Sequence, residues 1–292
     1  MLFLFYPPNP ETVILFKRSD DLFSYISGKK KSGAAVGFVP TMGALHAGHL
    51  SLIDYSRKLN DITVCSIFVN PAQFNEAGDL AAYPRTIEKD LELLQHSGCE
   101  VVFHPDVQEI YPKGNSDLKD YPLGHLSEIL EGKSRPSHFR GVANVMDRLL
   151  HIVSPNTLFL GQKDFQQVKV IELLARQIMP QLRISMCPII REGSGLAMSS
   201  RNVRLTEEEK KNAAGIFKTL QWMKERVPSF SLEELKMQAM QKLNSIPGVT
   251  VDYLEICDAE SFYPATQAGK NQVAVTAVSI SGVRLLDNIF LD

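Results

Sequence analysis

Cysteine is scarce: Cys65, Cys99, Cys187 and Cys257 are the only four in 292 residues, far apart and without a C-x-x-C pair. That spacing speaks against a disulfide framework or a structural zinc site, and three of the four lie in apolar runs that read as strands, so a reducing compartment fits. Neither charge is in marked excess. With 31 basic and 33 acidic side chains and a net charge of -2, nothing draws the chain to nucleic acid or to an acidic membrane. Long apolar runs are missing as well. Met1-Leu2-Phe3-Leu4-Phe5-Tyr6 is far too short to span a bilayer, is interrupted by Pro7-Pro8-Asn9-Pro10, and lacks the basic start and small-residue cleavage site of a secretory signal. The expectation is a cytoplasmic protein with small-molecule partners.

Hydrophobic residues at 44% and charged residues at 22% are ordinary for a globular chain, and the length suits one large domain or two. The stretch around which the rest is organised is Phe38-Val39-Pro40-Thr41-Met42-Gly43-Ala44-Leu45-His46-Ala47-Gly48-His49-Leu50. A buried strand over 34–40 feeds a glycine-bearing loop and then a helix over 50–59, with Leu50, Ile53 and Leu59 at helical spacing. In an open α/β sheet ligands bind at such carboxyl ends, where unpaired N–H groups face an anion. Gly43 and Gly48 would let backbone approach a nucleotide. His46 and His49, three apart, would present both imidazoles to one phosphate chain, although a His-x-x-His pair also occurs as a surface pair or metal half-site. No phosphate-loop lysine and no G-x-G-x-x-G follows this strand, so the usual NTPase and dinucleotide assignments fail.

Further strands are expected at 12–16, 62–69, 100–104, 158–160 and 184–190, with helices at 20–31, 86–96, 142–153 and 168–179. This alternation argues a parallel sheet with right-handed crossovers. Asn70 and Gln73 follow the 62–69 strand and would hang over the same edge as the histidines. Thr86 is expected to cap its helix. Residues 105–137 read as a long surface excursion, with Arg135, His138 and Arg140 as solvated basic residues.

Gly161-Gln162-Lys163-Asp164-Phe165-Gln166-Gln167 repeats the pattern of a glycine turn at a strand end. Lys163 suits a phosphate, Asp164 a helix cap or a metal-side carboxylate, and Gln167 a polar substrate; an ordinary capped helix start would leave Lys163 in solvent. In Arg191-Glu192-Gly193-Ser194-Gly195-Leu196-Ala197-Met198-Ser199-Ser200-Arg201-Asn202 the hydroxyl and guanidinium donors suit a polyphosphate, and the glycines suit a closing loop or a linker. From about residue 191 the pattern changes to acidic-capped helices to 227 and over 231–244, then strands at 250–256, 272–280 and 283–289. A smaller α+β domain at 191–292 is therefore expected after an α/β domain at 1–190.

Taken in order, these motifs, with Phe68-Val69-Asn70-Pro71-Ala72-Gln73-Phe74, Tyr83-Pro84-Arg85-Thr86, Arg135-Pro136-Ser137-His138-Phe139-Arg140-Gly141-Val142 and Arg284-Leu285-Leu286-Asp287-Asn288, resemble the pantoate:β-alanine ligase family over essentially the whole chain. The resemblance implies a Rossmann-like nucleotidyltransferase domain of the His-x-Gly-His superfamily, a carboxy-terminal lid and a homodimer. It implies ATP-dependent joining of pantoate to β-alanine, releasing AMP and pyrophosphate on the way to coenzyme A. Carried over by position, Met42, Gly43, Ala44, Leu45, His46, Ala47, Gly48, His49, Gly161, Gln162, Lys163, Asp164, Ile190, Met198, Ser199, Ser200 and Arg201 would hold ATP, with Mg²⁺ bound through its phosphates. Gln73 and Gln167 would hold pantoate, with Gln73 also near β-alanine, and His49 would be the proton donor. His46, His49, Lys163, Ser199, Ser200 and Arg201 form the expected catalytic set. The family usually has Asp where this chain has Ser194. The alternatives are another His-x-Gly-His nucleotidyltransferase that stops at nucleotidyl transfer to a phosphate acceptor, and a catalytically silent nucleotide-binding module. Amides at 73 and 167 favour a hydroxyl-bearing acid over the first, and binding alone would not require them.

Overall fold

The structure, a computed structural model, describes residues 12–75, 77–114 and 118–292. The apolar start from Met1 to Tyr6 lies outside them. In chain order the elements are β1 (Ile14–Phe16), α1 (Ser19–Lys31), β2 (Val36–Thr41), α2 (Ala47–Leu59), β3 (Ile62–Ile67), α3 (Ala77–Ala81), α4 (Ile87–His96), β4 (Val101–Phe103) and α5 (Val107–Ile110). Then come α6 (Leu130–Ser134), α7 (His138–Val153), β5 (Thr157–Gly161), α8 (Phe165–Ile178), β6 (Arg183–Cys187), α9 (Glu207–Arg226), α10 (Leu232–Asn244), β7 (Val249–Asp258), β8 (Gln272–Ile280) and β9 (Val283–Phe290). Two compact units result: residues up to 121 with 140–160 and 172–187, and residues 122–139, 161–171 and 188–292.

The first unit carries a six-stranded sheet in the order β1-β4-β3-β2-β5-β6, and β2 pairs in parallel with both β3 and β5. The chain steps outward from β2 through β3 to β4, then resumes on the other side with β5 and β6. Strand order therefore reverses between β2 and β5, and the loop leaving β2 stands at the point where such sheets bind ligands. β3 and β4 are buried at every residue, whereas the flanking strands are not: β1 exposes Ile14 and Leu15, and only Cys187 of β6 is buried. The strand expected at 184–190 is thus an edge strand ending three residues sooner. Val39, Leu45, Ile53, Ile67, Leu94 and Val102 pack together on the face bearing α2 and α4.

In the second unit β7, β8 and β9 form an antiparallel meander whose inward side packs on α9 and α10 through Leu220, Met223, Leu235, Leu254, Val278 and Leu285. Both helices start with reciprocal caps. Thr206 and Glu209, then Ser231 and Glu234, each exchange side-chain and backbone hydrogen bonds. The α/β sheet and the α+β part are as the hydrophobic periodicities indicate. The stretch at 105–137 is not: α5, a 3₁₀ turn at Gly124–Ser127 and α6 punctuate it, and Tyr111, Leu123, Leu126 and Glu131 are buried. Its aperiodic sequence conceals these anchors because each is a single residue in a short element.

Candidate active site

β2 hands the chain to α2 through a turn with two left-handed residues, Gly43 at φ +81° and Ala44 at φ +49°. The Thr41 hydroxyl donates to the Ser66 carbonyl at 2.6 Å and accepts from the Gly43 N–H at 3.3 Å. The Asp90 carboxylate accepts from the Ala44 N–H at 2.9 Å, the Leu45 N–H at 2.8 Å and the Thr86 hydroxyl at 3.2 Å. Two N–H groups that the sequence offers to an anion are therefore paired inside the protein. A Cβ at Gly43 would lie 3.1 Å from both Asp90 Oδ2 and Ile67 Cγ2, so this glycine serves the turn. Thr86 spends its hydroxyl on Asp90 and makes no cap to the backbone of α4. The Leu45 side chain is buried in the core beneath.

The helix starts at Ala47, three residues before the hydrophobic spacing suggests, because His46 is its N-cap. His46 Nδ1 accepts from the Gly48 N–H at 3.1 Å, and His49 Nδ1 accepts from the His46 N–H at 3.3 Å. An imidazole whose Nδ1 accepts must, when neutral, carry its proton on Nε2. Backbone thus fixes both rings as Nε2–H donors, with centroids 4.1 Å apart and planes inclined by 36°.

Gln73 ends the 3₁₀ turn Pro71–Gln73 beyond β3. Asn70, which the sequence places over the sheet edge, is buried at 1% exposure and acts as the bracket for that turn. Its amide donates to Gln73 Oε1 at 3.0 Å and to the Gly141 carbonyl at 3.1 Å. Its Oδ1 accepts from the Tyr111 hydroxyl at 2.9 Å and the Ala72 N–H at 3.2 Å. With Oε1 fixed, the Gln73 amide nitrogen is aimed at Met42 Sδ, 3.2 Å away. Gly141 on α7 is packed against the same turn: a Cβ there would fall 2.2 Å from the Ala72 carbonyl oxygen and 2.7 Å from Gln73 Cα. Gly141→Ala is expected to cost about 1–3 kcal/mol of stability by overpacking, read as a lower denaturant midpoint; an unchanged midpoint would show that the turn yields freely.

In the second unit, residues 162–164 form a 3₁₀ turn and α8 begins at Phe165, so Asp164 precedes the helix without capping it and Gln167 lies in its first turn, half-buried. Lys163 Nζ lies 3.4 Å from Asp164 Oδ1. Desolvation would raise the Asp164 carboxyl, but Lys163, with Arg201 and His138 further off, holds it below the usual carboxylate range. Asn288 donates to the carbonyls of Gln162 at 2.9 Å and Lys163 at 3.0 Å, and accepts from the Gln162 amide at 3.0 Å. Its neighbour Asp287 takes a two-pronged ion pair from Arg191 at 2.7 and 2.8 Å. The Arg191 guanidinium also lies 3.6 Å from the Phe217 ring centroid and donates to the Gly195 carbonyl at 3.1 Å.

The segment at 190–202 is tied to itself. The Met198 N–H donates to the Ile190 carbonyl at 3.0 Å, Arg191 bridges Ala197, and Asn202 donates to Glu192 Oε1 at 2.8 Å. Ser199 caps the 3₁₀ turn Ser200–Arg204 by accepting from the Arg201 N–H at 3.3 Å. Ile190 with Met198, Ser199 with Arg201, and Lys163 with Asp164 are therefore brought together. Ser194, where the family usually has Asp, still accepts from the Leu196 N–H at 3.4 Å, so the turn keeps its local bond without the charge.

Sequence spacing gave no sign of the polar anchors around α6. Buried Gln166 accepts from the Glu131 N–H at 3.1 Å and donates to the Leu126 and Ile129 carbonyls at 2.8 and 3.0 Å. Glu131 is buried and paired with Arg284, which also holds Asp252 at 2.6 Å. His138 is buried at the start of α7 with Arg135 Nη1 3.4 Å from its Nε2, so of the three basic residues expected in solvent only Arg140 is exposed. Gln166 and Arg284 lie 35 and 153 positions from Glu131, separations that no helical or strand period spans.

A parallel sheet whose reversal point carries a His-x-Gly-His turn defines an α/β nucleotide-binding protein. The model of the family described as Pantoate-beta-alanine ligase matches residues 14–290, and the chain belongs to that family. A pantothenate synthetase of Azobacteroides pseudotrichonymphae is 44% identical over 89% of this chain and 93% of its own length. That of Aquifex aeolicus is 41% identical over 94% of this chain and 98% of its own. The crystal structure of pantothenate synthetase from Thermus thermophilus superimposes with a TM-score of 0.90 at 35% identity, covering 96% of this chain and 99% of that one. A pantoate-beta-alanine ligase from Francisella tularensis, complexed with beta-gamma ATP and beta-alanine, gives 0.80 at 37% identity over 96% and 98%.

Proposed function

We propose that this enzyme condenses pantoate with β-alanine at the expense of ATP, through a pantoyl adenylate. A pantoate carboxylate oxygen attacks the α-phosphorus in line and pyrophosphate leaves. The β-alanine amine then attacks the activated carbonyl, the carbonyl carbon–oxygen bond breaks, and AMP departs with the oxygen that came from pantoate. The observation that carries this is the pair of backbone-fixed Nε2–H imidazoles at the sheet's reversal point. They offer hydrogen-bond donors where negative charge builds during adenylation, at no cost in reorganisation. In this scheme His49 acts in adenylation as a donor with a fixed tautomer.

ATP is assigned to the 42–49 turn, to 161–164, and to Ile190, Met198, Ser199, Ser200 and Arg201. Gln73 and Gln167 are assigned to pantoate; the Asn70 bracket around Gln73 supports the first, since a fixed amide can select a hydroxyl-bearing acid. The Francisella relative's complex with a nucleotide and β-alanine supports both substrates. Among the described residues no three His, Cys, Asp or Glu side chains group to cage a metal ion, and Asp164 sits beside a lysine. Mg²⁺ carried on the ATP phosphates would neutralise charge on the leaving pyrophosphate beside the residues assigned to ATP. A cytoplasmic homodimer with a 1–190 nucleotide domain and a 191–292 lid is the expected form. Free, buried cysteines suit a reducing compartment, and no described helix is long and apolar enough to cross a membrane.

The test is pyrophosphate release with ATP and pantoate alone. Release equal to the enzyme present, followed by turnover when β-alanine is added, is expected, and ¹⁸O in the pantoate carboxylate should appear in AMP. Release independent of pantoate would overturn the substrate assignment, and unlabelled AMP would overturn the adenylate.

A further inference from the structure

We infer that Asp90 is a positioning residue for adenylation, a role that rests on the nucleotide reading of the histidine turn. Asp90 lies on α4, at 1% exposure, 44 positions after His46, and neither histidine is among its hydrogen-bond partners here. What it does touch is the backbone of two consecutive residues immediately before His46. Ala44 and Leu45 donate to separate oxygens of one carboxylate, at 2.9 and 2.8 Å. Successive N–H groups in a turn of this kind form a concavity suited to an anion. Here the anion is internal.

Two consequences follow from that occupancy. First, Ala44 is held in the left-handed region, where a residue with a Cβ costs free energy unless its surroundings enforce it. Asp90 supplies the enforcement, with Thr86 fixing one carboxylate oxygen and Thr41 anchoring the Gly43 N–H. Second, that conformation determines where His46 enters α2. His46 is the N-cap that accepts from Gly48, and its own N–H fixes the His49 ring. A rigid chain of hydrogen bonds therefore runs from the Asp90 carboxylate through the turn to both Nε2–H donors. Met42, which receives the Gln73 amide, begins the same turn.

The experiment compares Asp90→Asn with Leu94→Ala, which removes a fully buried side chain on the same helix. The amide in Asp90→Asn keeps one acceptor and turns an N–H₂ toward a backbone donor, so the turn must shift. Pantoate-dependent pyrophosphate release is expected to fall roughly 10- to 100-fold in kcat, the scale of a misplaced catalytic group, with the KM for β-alanine changed less than about twofold. Leu94→Ala, at an equal or larger loss of thermal stability, should keep its kcat within about threefold of the parent. Long-range ¹H–¹⁵N spectra of the two imidazoles should show the Nε2–H form in the parent and in Leu94→Ala, and a mixture of tautomers in Asp90→Asn. Equal kcat losses in the two variants, or unchanged imidazole spectra in Asp90→Asn, would overturn the proposal. A parent protein with no pantoate-dependent release would instead overturn the ligase reading, and the imidazole spectra would then decide the role of Asp90 by themselves.

Discussion

His49→Ala and Lys163→Ala should each lower turnover by roughly 10²- to 10³-fold, the usual consequence of removing one donor aimed at developing charge. The two losses have different structural accompaniments, which separate catalysis from folding. His49 accepts the His46 N–H through Nδ1, so its removal also takes away part of a helix cap, worth about 1 kcal/mol. His49→Asn retains an acceptor near that N–H but cannot reach as far as Nε2. It should regain most of the lost stability and little of the lost rate. Lys163 has no comparable capping role; its side chain is about one-fifth exposed and pairs with Asp164. Removing it should lower the thermal midpoint by no more than about 4 °C, because a part-exposed ion pair is worth at most about 1 kcal/mol, while the Asp164 carboxyl titrates closer to its ordinary value. Lys163→Arg should not restore the rate, because a planar guanidinium on a longer stem does not occupy the same point. Normal pyrophosphate release from either alanine variant would remove that residue from the catalytic set.

Asp287→Ala is expected to be the most destabilising single substitution in the second unit, at about 3–5 kcal/mol, because it strands a guanidinium in the interior. Arg191 has its Asp287 partner at 2.7 and 2.8 Å and is stacked on Phe217, so it cannot swing into water without surrendering both contacts. The Asn288 N–H also loses its acceptor, Asp287 Oδ1 at 2.8 Å. The loss should spread to activity, since Asn288 holds the carbonyls of Gln162 and Lys163. Arg191→Met combined with Asp287→Leu should recover a large part of the stability, because no charge is then left unpaired. Equal instability of the single and double variants, measured by urea denaturation, would show that packing and not the stranded cation dominates.

These residues also show where sequence periodicity carries information and where it stops. The strand, turn and helix around His46 are legible because a buried parallel strand is a short apolar run and a helix has its own period. The helix starts three residues before the hydrophobic spacing suggests, because a histidine is not an ordinary cap and the hydrogen bonds that make His46 and His49 one carry no hydrophobic period. The place of Gln73 just after β3 is legible from the sequence, but its bracket is not, since Asn70 reaches Gly141 and Tyr111 across 71 and 41 positions. Ser194 gives its loop a turn bond to the Leu196 N–H without adding a charge.

From the order of its residues alone, the chain determined an α/β sheet followed by an α+β part, the histidine turn, and the donors suited to a polyphosphate. Each of these is written in periods and short motifs that a local stretch of backbone can express by itself. Only the folded structure decided that Asp90 fills the turn's own anion site, that Asn70 fixes Gln73, and that Asp287 and Asn288 secure Arg191 and the Lys163 backbone. Apart from Asn70 and Gln73, three positions apart, those bonds join residues 45 to 125 positions apart. A buried polar group must find its partner wherever the packing brings one, and no local pattern announces that choice.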